Sequence, residues 1–306
     1  VAFKTAITAA MLVFGSILLV NQQLNIGQFV AAEIVILTIL NSVEKLIINL
    51  DSVYDTLTAV DKLAKLTDKP LEESGMIPMT KTDQGILLQG ENISYSYSEK
   101  QPVLHDLNFD FQPGQLICVQ GKAGTGKSTL LRLLDGAYTD FTGSLQMDKI
   151  PVRNFELNSL RGQIGILLHQ HDIFQGTLWE NITMGRENVS IEKVVELFQK
   201  VSLSAYFSTL PKGFDTELDP TGQRLPRQII HKILLVRALI GSPRLLLLEE
   251  PWSGMDSSTK SKVIALLQEY QSSTRVVVSN DEVFAATCDQ VLLMTEDGTL
   301  VKSYIK

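Results

Sequence analysis

Cysteine is almost missing from this sequence, with two in 306 residues, Cys118 and Cys288. Two thiols cannot build a disulfide framework or a cysteine zinc cluster, and both are expected as small core residues. Charge is also sparse: 20% of residues are Asp, Glu, Lys or Arg, against 44% hydrophobic. A chain of that balance is neither disordered nor collagen-like. Positive charge is in deficit. Twenty-seven Lys and Arg stand against 34 Asp and Glu, a net −7. Sequence-independent nucleic-acid binding needs a basic face to displace counterions, so no nucleic-acid partner is expected. Internal repeats and low-complexity segments are absent as well. The length suits roughly two domains of ~150 residues.

What is present is unevenly spread. Lys4, Glu33, Glu44 and Lys45 are the four charged side chains of the first 50 residues. Two apolar runs occupy residues 6–20 and 29–40, the second continuing to Leu50. With their flanks counted, each approaches the ~20 residues of helix that a bilayer core requires. The polar stretch 21–28 between them holds no Lys or Arg, whereas Lys4, Lys45, Lys62 and Lys65 lie at the other ends. By the positive-inside rule that turn faces outward and both ends face the cytoplasm. A membrane hairpin is therefore expected, set against a pair of buried helices in a soluble protein. Glu33 falls in the outer part of the second helix, as an intramembrane functional carboxylate or as an interfacial one. The chain starts with Val and enters an apolar run almost at once, which suggests further membrane segments upstream. Leu50, Val53, Leu57, Val60 and Ala64 recur at helical spacing, with Asp51, Asp55, Asp61 and Lys62 between them. That pattern predicts an amphipathic helix emerging from the membrane, stopping at Asp68, Lys69 and Pro70. The division expected is residues 1–70 for the membrane helices, 71–85 for a linker and 86–306 for a second domain.

The chemistry begins at residue 116. A short apolar strand, residues 116–120, leads into GKAGTGKST at residues 121–129 and then a helical LLRLL. Gly121, Gly126, Lys127 and Ser128 complete the pattern G-x-x-x-x-G-K-[ST] in its strand–loop–helix setting. Glycines let successive backbone N–H groups turn toward phosphate oxygens, and the helix adds its positive N-terminal end. The whole loop is thus a phosphate site: Gly121, Lys122, Ala123, Gly124, Thr125, Gly126, Lys127, Ser128 and Thr129. Lys127 reaches the β- and γ-phosphates, and the Ser128 hydroxyl is a Mg²⁺ ligand. Downstream, the apolar residues 244–248 predict a buried strand ending in Glu249 and Glu250. Two carboxylates at a strand end suit one metal partner and one base for water. A third strand at 276–279 and a hairpin at 291–301, turning through Asp297 and Gly298, follow.

This order of features resembles the C-terminal part of an ABC exporter, in which permease and ATPase are fused in one chain. The resemblance covers essentially the whole sequence. It implies an α/β P-loop NTPase, an ABC-type ATPase domain with its helical subdomain, preceded by an α-helical transmembrane hairpin. It also implies ATP and Mg²⁺ as ligands. Tyr97 sits where the family places an aromatic residue that stacks on adenine; Tyr95 and plain strand packing are the alternatives. The glutamine loop falls at Leu167, Leu168, His169, Gln170 and His171. Register with Phe174, Gln175, Gly176 and Thr177 points to His169. Gln170 is preferred because a carbonyl oxygen suits a hard cation better than imidazole.

The family's signature, five residues that reach the γ-phosphate of a partner subunit, aligns with Leu225, Pro226, Arg227, Gln228 and Ile229. Thr221, Gly222, Gln223 and Arg224 resemble its end but lie too far from Arg237. Pro226 lacks an N–H, and Arg227 carries a side chain where glycine allows close approach, although its charge suits phosphate. The first acidic-motif residue is Glu249 where the family has Asp. The switch histidine aligns with Asn280, which hydrogen-bonds but carries no proton. Glu250 as base and Asp256 as the dimer-contact residue are kept. Two functions follow from the resemblance. One is an ATP-hydrolysing subunit of an exporter, dimeric with itself or another ABC subunit, in the plasma (inner) membrane with a cytoplasmic ATPase domain. It would move an unknown substrate, with an accessory periplasmic protein as a further expected partner. The other is a degenerate ATP-binding module with little hydrolysis, structural or regulatory in a transporter dimer. A soluble P-loop kinase leaves residues 1–70 unexplained.

Overall fold

The computed structural model describes residues 2–69, 71–98, 102–169, 172–186, 189–219 and 225–302. The chain divides into two compact units, residues 1–72 and 73–306.

The first unit is two helices, α1 (Ala2–Val20) and α2 (Ile26–Thr67). Asn25 starts α2 with a capping box: its side chain accepts from the Gln28 N–H, and the Gln28 side chain accepts from the Asn25 N–H. The helices run antiparallel. Lys4 Nζ donates to Asn41 Oδ1 at 2.6 Å and pairs with Glu44 at 3.1 Å. Near the turn, the Phe29 ring occupies the space that a Cβ on Gly15 would need, 2.1 Å away. α2 is one unbroken helix, so the expected membrane helix and its amphipathic extension are continuous. By length and composition α2 can cross a membrane. Among the described residues it is the one helix that meets that length, because the apolar part of α1, Lys4–Val20, is shorter. The sequence predicts two spans, and α1 as described runs for 19 residues, close to the ~20 that a bilayer core requires.

The second unit carries β1 (Leu88–Ser96), β2 (Pro102–Phe111), β3 (Leu116–Gln120), α3 (Lys127–Leu134), β4 (Thr142–Met147) and β5 (Ile150–Pro151). Then come α4 (Leu157–Gly162), β6 (Ile164–Leu167), β7 (Gly176–Thr177), α5 (Leu178–Thr183), α6 (Ile191–Lys200), α7 (Ser204–Phe207) and β8 (Glu217–Leu218). The last are α8 (Arg227–Leu239), β9 (Leu245–Glu249), α9 (Ser257–Glu269), β10 (Thr274–Val278), α10 (Glu282–Ala285), β11 (Gln290–Met294) and β12 (Leu300–Lys302). The central sheet has the order β12-β11-β3-β10-β9-β6, parallel except for the hairpin partner β12. An antiparallel sheet, β2-β1-β4-β5, forms a separate layer.

The unbroken apolar strands have their reason in this layering. Leu116 and Cys118 of β3, with Leu246 and Leu248 of β9, pack against α5, α6, α8 and α9. Ile117 and Val119, with Leu245 and Leu247, pack on the opposite face against α3 and the antiparallel sheet. A parallel strand covered on both faces has no polar side to show. Cys118 is fully buried and Cys288 partly so, and both are free thiols.

Residues 74–85, read from the sequence as linker, lie on the second unit. The Gly75 and Ile77 N–H groups donate to the Phe155 and Asn154 carbonyls at 3.0 and 2.9 Å, and Met79 is buried. The buried Arg244 guanidinium donates to the Thr80, Gln84 and Gly85 carbonyls and pairs with Asp148 at 2.7 Å. A strip of backbone with no side-chain periodicity is thus held at its first part by residues 154–155 and at its last by the Arg244 guanidinium.

Candidate functional site

In an open parallel sheet the carboxyl ends of the strands form the ligand edge. Here β3 ends in the phosphate loop, β9 in Glu249 and Glu250, and β10 in Ser279 and Asn280. Register brings them level, Val278 standing beside both Val119 and Glu249. The three strand ends surround a cavity of about 480 Å³. It is lined by Ala123, Gly124, Gly126, Lys127, Ser128 and Thr129 of the loop, with Glu249, Glu250 and Asn280 opposite and Tyr97 at the side.

Two glycines of the loop are required by geometry. Gly121 has φ +146° and Gly126 φ +97°. A Cβ on Gly121 would lie 2.6 Å from the Met294 carbonyl, and one on Gly126 2.8 Å from Leu104. α3 begins at Gly126 with no side-chain cap, so its first N–H groups remain available to an anion. The Lys127 ammonium donates to the Gly121 carbonyl at 2.8 Å and to the Lys122 carbonyl. Burial lowers its pKa, and the carboxylates of Glu249 and Glu250 oppose that shift. Two loop side chains serve elsewhere: Lys122 pairs with Glu296 at 2.5 Å, and the Thr125 hydroxyl donates to the Lys122 carbonyl at 3.0 Å.

The carboxylates divide their work. Glu249 accepts from the Ser128 hydroxyl at 2.5 Å and, through its other oxygen, from the His169 N–H at 2.9 Å. A hydroxyl and a carboxylate converging at one point are hard oxygen donors, the set that suits Mg²⁺ when substrate phosphates complete the shell. Glu250 takes a left-handed backbone, φ +43°, and its carboxylate accepts from the Ser279 hydroxyl at 3.1 Å. Asn280 holds the loop itself. Its Oδ1 accepts from the Gly121 N–H at 2.9 Å, and its Nδ2 donates to the Gly121 carbonyl at 3.2 Å.

Tyr97 stands at the cavity wall, half-exposed, its hydroxyl 3.0 Å from Thr129 Oγ1. Its ring meets Tyr95 and Tyr138 edge to face, with centroids at 5.3 and 5.7 Å. Tyr95, the alternative, is buried and stacked on Tyr138. Arg132 donates to the Tyr138 hydroxyl at 3.0 Å.

The structure does not bring the signature-equivalent residues into this cavity. Pro226 is the N-cap of α8, Arg227 is exposed with Asp172 at 3.7 Å, and Leu225 packs on the core. Arg227 and Gln228 line a second cavity of about 330 Å³ with His169, His231, Ser253 and Gly254. Asp256 caps α9, accepting from the Thr259 N–H at 2.9 Å and hydroxyl at 2.7 Å, and these bonds lower its pKa. Gln170, and Thr221 to Arg224, lie outside the described residues.

Several contributors had no signal in the sequence. His231 donates to the Glu250 carbonyl at 2.9 Å; Ser279 bonds Glu250 from 29 positions away, and Tyr138, itself held by Arg132, packs on Tyr97. A histidine inside an apolar helix reads as core until its partner is known.

Residues 104–253 match the family described as ABC transporter. The uncharacterized ABC transporter ATP-binding protein YknV of Bacillus subtilis is 28% identical over 94% of this chain and 48% of its own length. The ATP-dependent lipid A-core flippase of Coxiella burnetii is 26% identical over 90% of this chain and 47% of its own. The chain spans about half the length of these curated relatives. Among solved structures, a bacterial Atm1-family ABC exporter with ATP bound matches with TM-score 0.76 and 22% identity, over 91% of this chain and 49% of that one. Residues 104–253 of the chain thus carry the domain of the ABC transporter family, and the fold of the chain is similar to that of the Atm1-family exporter structure.

Proposed function

We propose that this chain is the ATP-binding and ATP-hydrolysing part of an exporter-type membrane transporter, working as a dimer with a second ABC subunit. The observation that carries the reading is the single cavity in which Tyr97, the phosphate loop, Glu249, Glu250 and Asn280 meet. Residues 1–70 would be the last two membrane helices and their extension, in the plasma (inner) membrane, and residues 86–306 the cytoplasmic ATPase domain. Tyr97 stacks on adenine. The loop amides and Lys127 bind the phosphates. Ser128 and Glu249, with Gln170, are the residues to hold Mg²⁺, which would screen the charge of the transferred phosphoryl group. Glu250, fixed by Ser279, orients and deprotonates the attacking water. Asn280 keeps the loop in place beneath the phosphates.

A second reading, an ATP-binding module with little turnover, is favoured by Pro226 and Arg227. Pro226 removes a backbone N–H at the start of α8, where the family uses amides against a partner's phosphate. ATP hydrolysis by the intact parent protein in lipid, against Glu250→Gln, separates the two. A base contributes about 10²- to 10⁴-fold, so the variant should lose turnover by that much and still bind ATP. Equal turnover in both proteins refutes the role of Glu250. Phosphate release by neither, with ATP bound by both, establishes the second reading.

A further inference from the structure

Glu250 holds a backbone conformation that its own residue type resists. A non-glycine residue at φ +43° persists only where its surroundings over-determine it. Four hydrogen bonds do so. The Glu250 N–H donates to the Val278 carbonyl at 2.9 Å, and its carboxylate accepts from the Ser279 hydroxyl at 3.1 Å. Its carbonyl accepts from the Ser253 N–H at 2.9 Å, which closes the turn that follows β9, and from His231 Nε2 at 2.9 Å. Three of these partners belong to the same strand ends and turn. His231 is the one that comes from a helix, α8. A carbonyl only accepts, so the imidazole carries its proton on Nε2.

We propose that His231 is a positioning residue for ATP hydrolysis, fixing the Glu250 peptide so that the carboxylate faces the cavity that holds the phosphate loop. The inference rests on the ATPase function proposed above. Carbonyl and carboxylate of Glu250 leave the same Cα. A peptide released from its left-handed conformation swings the carboxylate with it, and displacement of a reacting group by about 1 Å costs up to ~100-fold in rate. The imidazole does not fill the core. It lines the cavity of about 330 Å³ beside His169 and Ser253, so removing the ring enlarges an open space without collapsing packed side chains.

The test uses the intact parent protein in lipid, with His231→Ala and His231→Gln. Glutamine restores an N–H donor on a flexible side chain of similar reach. The Ala variant is expected to lose about tenfold or more in kcat, with KM for ATP within about twofold of the parent, and the Gln variant to recover to within about threefold. Unchanged kcat in the Ala variant overturns the proposal. So does a joint loss of kcat and ATP affinity that Gln fails to rescue, because that is what a damaged fold produces. A second readout does not depend on turnover. Amide hydrogen exchange over residues 249–256 should rise several-fold in the Ala variant and not in the Gln variant, since the Ser253 amide donates to the same carbonyl. Exchange that does not change in the Ala variant overturns the proposal. A parent protein that binds ATP but releases no phosphate refutes the ATPase function instead, and the exchange comparison still decides whether His231 holds Glu250.

Discussion

Asn280 offers the sharpest separation between two roles for one residue. As a phosphate sensor it would act on the γ-phosphate and distinguish ATP from ADP. In the structure it does something else: it closes two hydrogen bonds on Gly121, the first residue of the phosphate loop. A net hydrogen bond contributes about 0.5–1.5 kcal/mol, so the pair holds the loop by roughly 1–3 kcal/mol. Asn280→Ala removes both. The population of loop shaped for phosphate falls, and apparent affinity falls by the same factor, at most roughly 5- to 150-fold. Asn280 is exposed, and Gly121 keeps the Lys127 contact to its carbonyl. The lower part of the range is therefore expected, about 5- to 20-fold. Both nucleotides share the loop, so ADP and ATP should weaken equally. Titration calorimetry on the parent protein and Asn280→Ala, with each nucleotide, gives the comparison. An ADP affinity unchanged within twofold, with ATP alone weakened, would show that the side chain acts on the γ-phosphate and that the loop needs no clamp.

Gly126→Ala places a Cβ 2.8 Å from Leu104 and 3.1 Å from the Val103 carbonyl at φ +97°. It should cost roughly 1–3 kcal/mol of stability and nucleotide binding with it; a denaturation midpoint and an ATP affinity both equal to the parent's would contradict the loop geometry. His231 gives a pH prediction. Burial, the larger cause, lowers its pKa, and the nearby His169 lowers it further, against the pull of the Glu250 and Pro251 carbonyls. The unfolded chain therefore binds a proton near pH ~6.5 that the native chain does not. This contribution to stability is present above that pH and is lost as pH falls below it. Denaturant unfolding of the parent and His231→Gln between pH 7.5 and 5.5 should show a steeper acid loss in the parent, and parallel profiles would falsify the assignment.

Much of the site was legible because its parts are local. The strand 116–120, the glycine loop and the helix after it follow one another without a gap, so the chain itself supplies their geometry. The strand 245–249 declared its burial by four leucines and its chemistry by where they stop. The register that brings Glu249 level with Val278 is a property of the sheet, yet the order of the family already implied it. What stayed hidden depends on long-range pairing. Arg244 reads as the start of a strand, and only the fold places it against the carbonyls of Thr80 and Gln84, 164 and 160 positions away. Residues 74–85 read as linker because a strip held through its backbone leaves no side-chain period. Tyr97 was found by position, but the Tyr138 ring that holds it lies past the end of α3, in a stretch with no pattern of its own.

Two of the departures from the family pattern, Glu249 and Asn280, stand at strand ends around the phosphate loop, and the other two stand at the start of α8. Pro226, Arg227 and Gln228 stand at its exposed start, away from this chain's own phosphate loop, while one turn further His231 reaches back to Glu250. In the proposed dimer the start of this helix would face the partner's nucleotide, and Glu250 would face this chain's own. The one N–H missing at Pro226 would then weaken catalysis at the partner's site, whereas the proposed His231 contact would preserve the geometry of the base at this one. The two consequences are separable on a single helix, because a cap residue and a residue one turn inside it act on opposite sides. In that dimer this chain would be impaired as a donor to its partner while it hosts its own ATP. Under the proposed function such a chain would gain most from pairing with a subunit that keeps the backbone N–H lost at Pro226, so that the site around Lys127 and Glu250 receives it.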